Sequence, residues 1–280
     1  MTNAVRVVTD SNTMIPWGLV DDLGIVVVPL TIVIGDRELV EDRDLDVVDA
    51  YRQLRAGAAA TTSAPSPGAF AAAYEQLRGN PIVSVHIGSA FSATANVARL
   101  AGTLAGIDVR VVDTGAASFL AGCCVLAAAL AAQAGADLDE VVRRADEVAV
   151  TVETVFTLTE AERAQRGGRL TGVVQAEGSV PLIRMAGGII ERVAAVATDV
   201  EAADLMFAHI VANPARLRIG VGDADAGPVV DDLVQRLRAA RPADEIVRYV
   251  VGPTVAAHAG MGTFGIVFHP LVEPGEPGVP

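Results

Sequence analysis

The sequence predicts an α/β fold, with an N-terminal, mainly parallel sheet carrying helices on both faces and a C-terminal mixed α+β domain. Three observations lead there. Short apolar runs alternate with longer segments of helical period through the first half of the chain, the pattern of buried strands joined by helices. Beyond Val150 to Glu153 the character changes, and strand-like runs surround only two clear helices. With 280 residues, 51% of them hydrophobic, the chain can bury the cores of two domains, expected at residues 1–152 and 153–280.

Val5 to Thr9 reads as the first buried strand and Met14 to Leu23 as the first helix. Ile25 to Ile34 reads as a further strand, and Leu45 to Arg55 as a helix entered through Asp42, Asp44 and Asp46, acids that favour a helix N-terminus. Thr61 to Pro67 reads as a hydroxyl-rich loop before the helix Gly68 to Arg78, with Ser66 as N-cap and Pro67 at the first helical position. Ile82 to Ile87 and Ile107 to Val112 are strands flanking the helix Ser92 to Leu104. Ala117 to Gln133 and Asp137 to Val150 follow as helices, the second capped by Asp137. In the second half, Val152 to Leu158, Ile189 to Val196, Leu217 to Val221, Ile246 to Val251 and Gly265 to Phe268 read as strands, with helices at Val200 to Ala212 and Val229 to Ala239. The Pro/Gly-rich tail Glu273 to Pro280 reads as loose.

Composition removes several kinds of function. Thirty-four acidic residues against 21 basic ones give a net charge of -13, which argues against nucleic acid or an anionic membrane as the main partner. Every basic residue other than histidine is an arginine, so no Walker A, Schiff-base or general-base lysine exists. Gly115 to Ala136 is uncharged and long enough to span a bilayer, but alanine and glycine dominate it and Gln133 interrupts it. It reads as a buried helix, without stable membrane insertion. Met1 to Asp10 holds no long apolar run, so a cytoplasmic location is expected. Cys123 and Cys124 are adjacent, with no second pair at ligand spacing, and read as apolar helix residues rather than a disulfide or metal site.

The segments that carry chemistry are loops. Thr62-Ser63 and Gly88-Ser89-Ala90-Phe91-Ser92 each precede a helix, and the second follows the carboxyl end of a strand. Such loops cap helices, and their hydroxyl and backbone N–H donors also cradle a carboxylate or phosphate. Asp10-Ser11 and Asp113-Thr114 follow strands in the same way, either as turn residues bonding their own backbone or as groups that orient other hydroxyls. Arg166-Gly167-Gly168-Arg169 is a basic turn whose Arg169 either faces solvent or reaches an anionic partner through its planar fork. Gly252 to Gly265 includes a literal G-x-G-x-x-G, which is set aside because a strand rather than a helix follows. Within it His258, alone of the four histidines, is expected in a flexible glycine-rich loop. Asp42 to Asp46 opens like a calcium loop, but Val47 and Gln53 stand where the turn glycine and bidentate glutamate belong. No G-x-S-x-G elbow is present.

Six of these segments, in order, resemble the DegV family, the fatty-acid-binding component of bacterial fatty acid kinase. They are Val8 to Ser11, Val27 to Leu30, Thr62 to Ser66, Gly88 to Thr94, Gly167 to Arg169 and Gly252 to Gly262. The resemblance implies a two-domain protein that buries one long-chain fatty acid in a tunnel between its domains. It also implies that Thr62, Ser63, Ser89, Ser92 and His258 surround the carboxyl group, with Arg169 near the face that meets the kinase subunit. The chain is then a non-catalytic subunit that presents the carboxylate for acyl-phosphate formation; the kinase brings ATP and magnesium, and the fatty acid is the only ligand here, with no cofactor or metal. The sequence departs from the family where Val180-Pro181-Leu182 and Val196-Ala197-Thr198 replace Lys-Pro-Ile and Val-Arg-Thr, and where Gly88 and Ala93 replace serine and glycine. Two alternatives stand beside this reading: a lipid hydrolase or transferase with Ser89 or Ser92 as nucleophile, His258 and Asp10, and a lipid-responsive binding protein without a kinase partner.

Overall fold

The computed structural model describes residues 4–159, 179–187 and 189–271. The chain divides into two compact units, Met1–Ala149 with Gly252–Val255, and Val150–Val251 with Ala256–Pro280.

In the first unit β1 (Arg6–Asp10), β2 (Val26–Val28), β6 (Ile82–His86) and β7 (Val109–Asp113) form a parallel sheet in the order β2-β1-β6-β7. Every residue of β6 is buried, so both faces of the sheet are covered, as parallel strands require. On one face α3 (Pro67–Gln76) and α4 (Thr94–Ala105) pack Phe70, Tyr74, Leu77 and Ala98 onto Val8, Val28 and Ile82. The apolar stretch read as a buried helix is α5 (Phe119–Gln133), lying against β1 and β6. Among the described residues no helix is long and apolar enough to cross a membrane. The helix α6 (Leu138–Thr151) is capped as expected, Asp137 Oδ1 accepting the Glu140 N–H at 2.9 Å.

A second, antiparallel sheet was not anticipated. It consists of β3 (Thr31–Ile34), β4 (Arg37–Val40) and β5 (Ala60–Ser63) in the order β4-β3-β5, with α2 (Val47–Arg55) against β3. The run Ile25 to Ile34, read as one strand, is therefore two strands in different sheets. Pro29 lies between them, and the Leu30 N–H leaves the ladder to donate to Ser11 Oγ at 3.0 Å. Thr61 to Ser63, read as loop, is strand β5. Threonine suits a half-buried pleated surface, and Thr62 pairs with Ile32. The first predicted helix, Met14 to Leu23, is the six-residue α1 (Trp17–Asp22), which begins only after Pro16, and a 3-10 turn at Ser11–Thr13 precedes it.

The second unit holds a mixed sheet in the order β10-β9-β8-β13-β11-β12. Its strands are β8 (Glu153–Thr157), β9 (Val180–Ala186), β10 (Ile189–Val196), β11 (Leu217–Asp223), β12 (Glu245–Val250) and β13 (Phe264–Pro270). Among the described residues only β11 and β12 pair in parallel in this sheet. The helices α7 (Asp199–Val211) and α8 (Pro228–Ala240) bury Met206, Ile210, Leu233 and Leu237 against Leu217, Ile219, Val221 and Ile266. Alternation places these strand residues on one face. The strand β9 escaped the sequence reading because Pro181 and Arg184 interrupt its apolar pattern. The glycine-rich segment read as a flexible loop contains a helix, α9 (Pro253–Ala259).

Across this sheet Phe156, Gly265, Gly222 and Tyr249 stand in one row. A Cβ on Gly222 would lie 2.1 Å from Tyr249 Cζ, and one on Gly265 would lie 2.5 Å from Phe156 Cβ. The Tyr249 ring thus covers its glycine neighbour. Gly222→Ala should cost about 1–3 kcal/mol through overpacking. The double variant Gly222→Ala/Tyr249→Ala should lose less than the sum of the single losses in urea unfolding, and strict additivity would show that the ring is not what excludes the methyl.

His269 is buried, its Nδ1 donates to Pro270 O at 2.9 Å, and its Nε2 has no partner among the described residues. Burial, helped by the Arg218 charge, pushes its pKa down to about 4 from 6.5. Between those values the unfolded chain binds a proton that the fold resists, so stability is lost as pH falls from 6.5 toward 4, by on the order of 3 kcal/mol. His269→Leu should flatten that part of the pH dependence of the urea midpoint.

Candidate functional site

Parallel pairing brings the carboxyl ends of β1, β6 and β7 to one edge of the first sheet, where an open α/β sheet places its ligands. The sequence ends these strands with Asp10, His86 and Asp113. Asp10 is fully buried, and its oxygens accept the N–H groups of Asn12 at 3.0 Å and Ile87 at 3.3 Å. The Asp10 carboxylate also meets His86 Nδ1 at 2.8 Å, and His86 Nε2 lies 2.7 Å from Ser84 Oγ, which lies 2.9 Å from the Tyr74 hydroxyl. Burial pushes the Tyr74 hydroxyl up to about 12 against the pull of Ser84. This is an Asp–His–Ser chain sealed in the core, with Asp10, His86 and Ser84 all at 0% exposure. It leaves no path for a substrate to the Ser84 oxygen, so its role is to satisfy buried polar groups.

The loop after β6 is folded back on the neighbouring loop. Gly88 N donates to Ala116 O at 2.7 Å, and a Cβ at position 88 would lie 2.6 Å from the carbonyl carbon of Gly115. That approach explains glycine here in place of serine. The Phe91 and Ser92 N–H groups close a turn on Gly88 O. Asp113 Oδ1 accepts the N–H of Ser89 and of Gly115, each at 3.1 Å. Burial alone would raise the Asp113 carboxyl, but the Ser89 hydroxyl and these two N–H groups outweigh it and hold it below the usual carboxylate range. Asp113 is therefore both a turn residue and the group that orients Ser89. Ser92, in a loop expected to cap the following helix, is not its N-cap: α4 begins at Thr94 after Ala93, and Ser92 Oγ accepts the Thr94 N–H at 3.3 Å and meets Thr94 Oγ1 at 2.8 Å. The other predicted cap holds, Ser66 Oγ accepting the Ala69 N–H at 3.1 Å.

A third polar centre lies where β1 ends and β4 gives way to loop. Glu41 is 7% exposed; its Oε2 accepts Ser11 Oγ at 2.8 Å and Thr254 Oγ1 at 2.6 Å, and its Oε1 accepts the Thr254 N–H at 3.0 Å. Burial pushes the Glu41 carboxyl up to about 7, against the three hydrogen bonds, with Asp10 adding repulsion. Thr254 and His86 were missed in the sequence because each is an isolated polar residue beside apolar neighbours, and Glu41 because it opens the charged run Glu41 to Asp44. Only their distant partners, 213 positions away for Glu41 and 76 for His86, reveal them.

Of the expected site residues, Ser89 and Ser92 share one turn. Thr62 and Ser63 lie on β5 of the second sheet, where alternation sends Thr62, half-buried, and Ser63, exposed, to opposite faces. His258, half-buried, is on α9, whose residues 256–259 belong to the second unit. Arg169 lies outside the described residues. Asp10, considered as a partner for His258, is committed to His86. Among the described residues no cluster of His, Cys, Asp and Glu has the form of a metal site.

The model of the DegV family matches residues 4–271. A DegV domain-containing protein of Streptomyces coelicolor is 33% identical over 95% of this chain and 99% of its own length. A solved structure from Thermus thermophilus, described as showing fatty acid binding of a DegV family protein, is 28% identical, covers 96% of this chain and 100% of that one, and superposes with a TM-score of 0.85. A Bacillus subtilis DegV structure has the same fold, with a TM-score of 0.85 at 23% identity over 96% of this chain and 100% of its own.

Because the fold raises the Glu41 pKa from 4.5 to about 7, it binds a proton there that the unfolded chain releases. The stability this confers is complete below pH 4.5 and is lost as pH rises through 7, by on the order of 3 kcal/mol. Glu41→Gln should remove the decline between pH 5 and 8 in urea unfolding; an unchanged slope would assign it to another group.

Proposed function

We propose that this chain, which belongs to the DegV family, binds a long-chain fatty acid in a buried tunnel and presents its carboxylate to a separate ATP-dependent kinase subunit for conversion to an acyl phosphate. The observation that carries the reading is the likeness, over 96% of the chain, to the Thermus thermophilus protein whose structure is described by its fatty acid binding. The chemistry agrees. A long alkyl tail contributes about 0.8 kcal/mol per buried methylene before the costs of association, so the tail supplies affinity and the polar end supplies orientation.

For that polar end the hydroxyls of Thr62, Ser89 and Ser92 serve as uncharged donors, with His258 as a further one and Ser63, at the end of β5 on its other face, as the lesser contributor. Desolvation drives the bound carboxyl toward its neutral form and these donors favour the ionised one. Ser89 is held at Asp113 through its N–H, and on binding its hydroxyl gives its hydrogen to the ligand. Arg169 serves the kinase-facing surface. The chain is thereby a binding subunit, without a nucleophile of its own.

A second reading, a lipid-responsive binding protein without a kinase, rests on the corner of the second unit's sheet where Val180 pairs with Val196, next to Ala197. The two basic residues common in the family are absent side by side there. A pull-down with the cognate kinase subunit separates the readings: capture supports the first and failure the second.

Thr62→Ala/Ser89→Ala should lower the fatty acid recovered with the purified protein about tenfold or more, two hydrogen bonds at roughly 1 kcal/mol each. Native and lipid mass spectrometry measure this, and undiminished lipid would remove these two residues from the site. Since Thr62 and Ser63 face opposite ways on β5, the single variants Thr62→Ala and Ser63→Ala should differ, with the larger loss at Thr62.

A further inference from the structure

The polar centre at Glu41 lies outside the expected head-group residues, yet three features converge on residues 252–254. Glu41 gives its carboxylate to both the backbone and the side chain of Thr254. Gly252 N donates to Met14 Sδ at 3.1 Å, and Met14 holds a left-handed backbone (φ 53°) while buried, a conformation that side chains other than glycine's rarely adopt. A Cβ on Gly252 would lie 2.4 Å from Glu41 Oε1, so only glycine passes there. Ser11 locks the arrangement from the other side, donating to Glu41 Oε2 and accepting the Leu30 N–H. A buried carboxyl, a left-handed methionine and an obligatory glycine all serve to hold the start of one short helix.

That helix is α9 (Pro253–Ala259), and Thr254 and His258 are one turn apart on it. We propose that Glu41 is a positioning residue: by fixing Thr254 it sets where α9 begins and so where His258 presents its imidazole to the ligand's carboxyl group. The inference rests on the reading of His258 as a head-group residue. Glu41 touches no ligand; it acts through the helix. Its carboxylate accepts all three of its hydrogen bonds from Ser11 and Thr254. A glutamine keeps the acceptor for the Thr254 N–H and turns its amide toward hydroxyls able to accept, so it preserves the anchor. An alanine removes it.

The test is a double-mutant cycle on the full chain, read by the fluorescence of cis-parinaric acid, with amide exchange of the peptide covering residues 253–259. Glu41→Ala should speed that exchange and weaken probe binding about tenfold in the parent, but less than about twofold in the His258→Ala background, while Glu41→Gln stays within about threefold. Equal loss in both backgrounds, or no loss in the parent while His258→Ala does weaken binding, overturns the positioning role and leaves the fatty-acid reading standing. A parent that does not bind the probe, or binding indifferent to His258→Ala, overturns the reading of the site and the positioning role with it. If circular dichroism shows Glu41→Ala unfolded, Thr254→Val, which deletes only the side-chain bond to Glu41, takes its place in the cycle with the same outcomes.

Discussion

The first unit is organised around a single constraint: two carboxyl groups, Asp10 and Glu41, are taken out of water, and each must be met by donors from distant parts of the chain. An unpartnered buried carboxylate costs several kcal/mol. Asp10 therefore fixes the ends of β1 and β6 together through Asn12, His86 and Ile87. Glu41 fixes the second sheet to the turn after β1 and to the returning segment 252–254. The loops that carry Ser11 and Ser89 start from residues these two carboxyls hold, so the positions of hydroxyl donors follow from buried acids rather than from the loops' own preferences.

The same device recurs on a smaller scale at Asp113, which takes the N–H groups of Ser89 and Gly115. With Gly88 packed onto Gly115, the two loops after β6 and β7 form one rigid edge. Donors already held in place lose little entropy on binding, which suits the proposed fatty-acid site, in which the apolar tail provides most of the affinity and the head group needs only to be aimed. In this reading the chain does no chemistry itself, and the sealed Asp10–His86–Ser84 chain is consistent with that: its geometry resembles a relay, but with no exposure it is part of the core.

Much of the fold was legible because strands and helices announce themselves by period. Val8, Ile82, Val109, Val111 and Val112 lie in short apolar-rich runs of strand length, and Phe119–Gln133 is too long and too alanine-rich for anything but a buried helix. What misled was local composition. Ala60–Ser63 has the residues of a loop and the hydrogen bonds of a strand, because β3 offers it a ladder. Residues 253–259 look flexible by glycine content, yet Pro253 starts a helix whose second residue is held by Glu41. Ser89 and Ser92 could be paired from sequence since they lie in one turn; Thr62 and Ser63 could not be separated, since only strand geometry puts adjacent side chains on opposite faces.

The sequence by itself determined the two-part α/β organisation, the absence of lysine chemistry, the caps at Ser66 and Asp137 and the order of motifs that marks the family, because each depends on residues within a few positions of one another. Tertiary structure alone decided the second sheet, the partners of Asp10 and Glu41 and the return of residues 252–255 to the first unit. The hydrogen bonds of Glu41 span 30 to 213 positions, and a glutamate in the charged run Glu41 to Asp44 carries no sign of which distant hydroxyl will meet it once water is excluded.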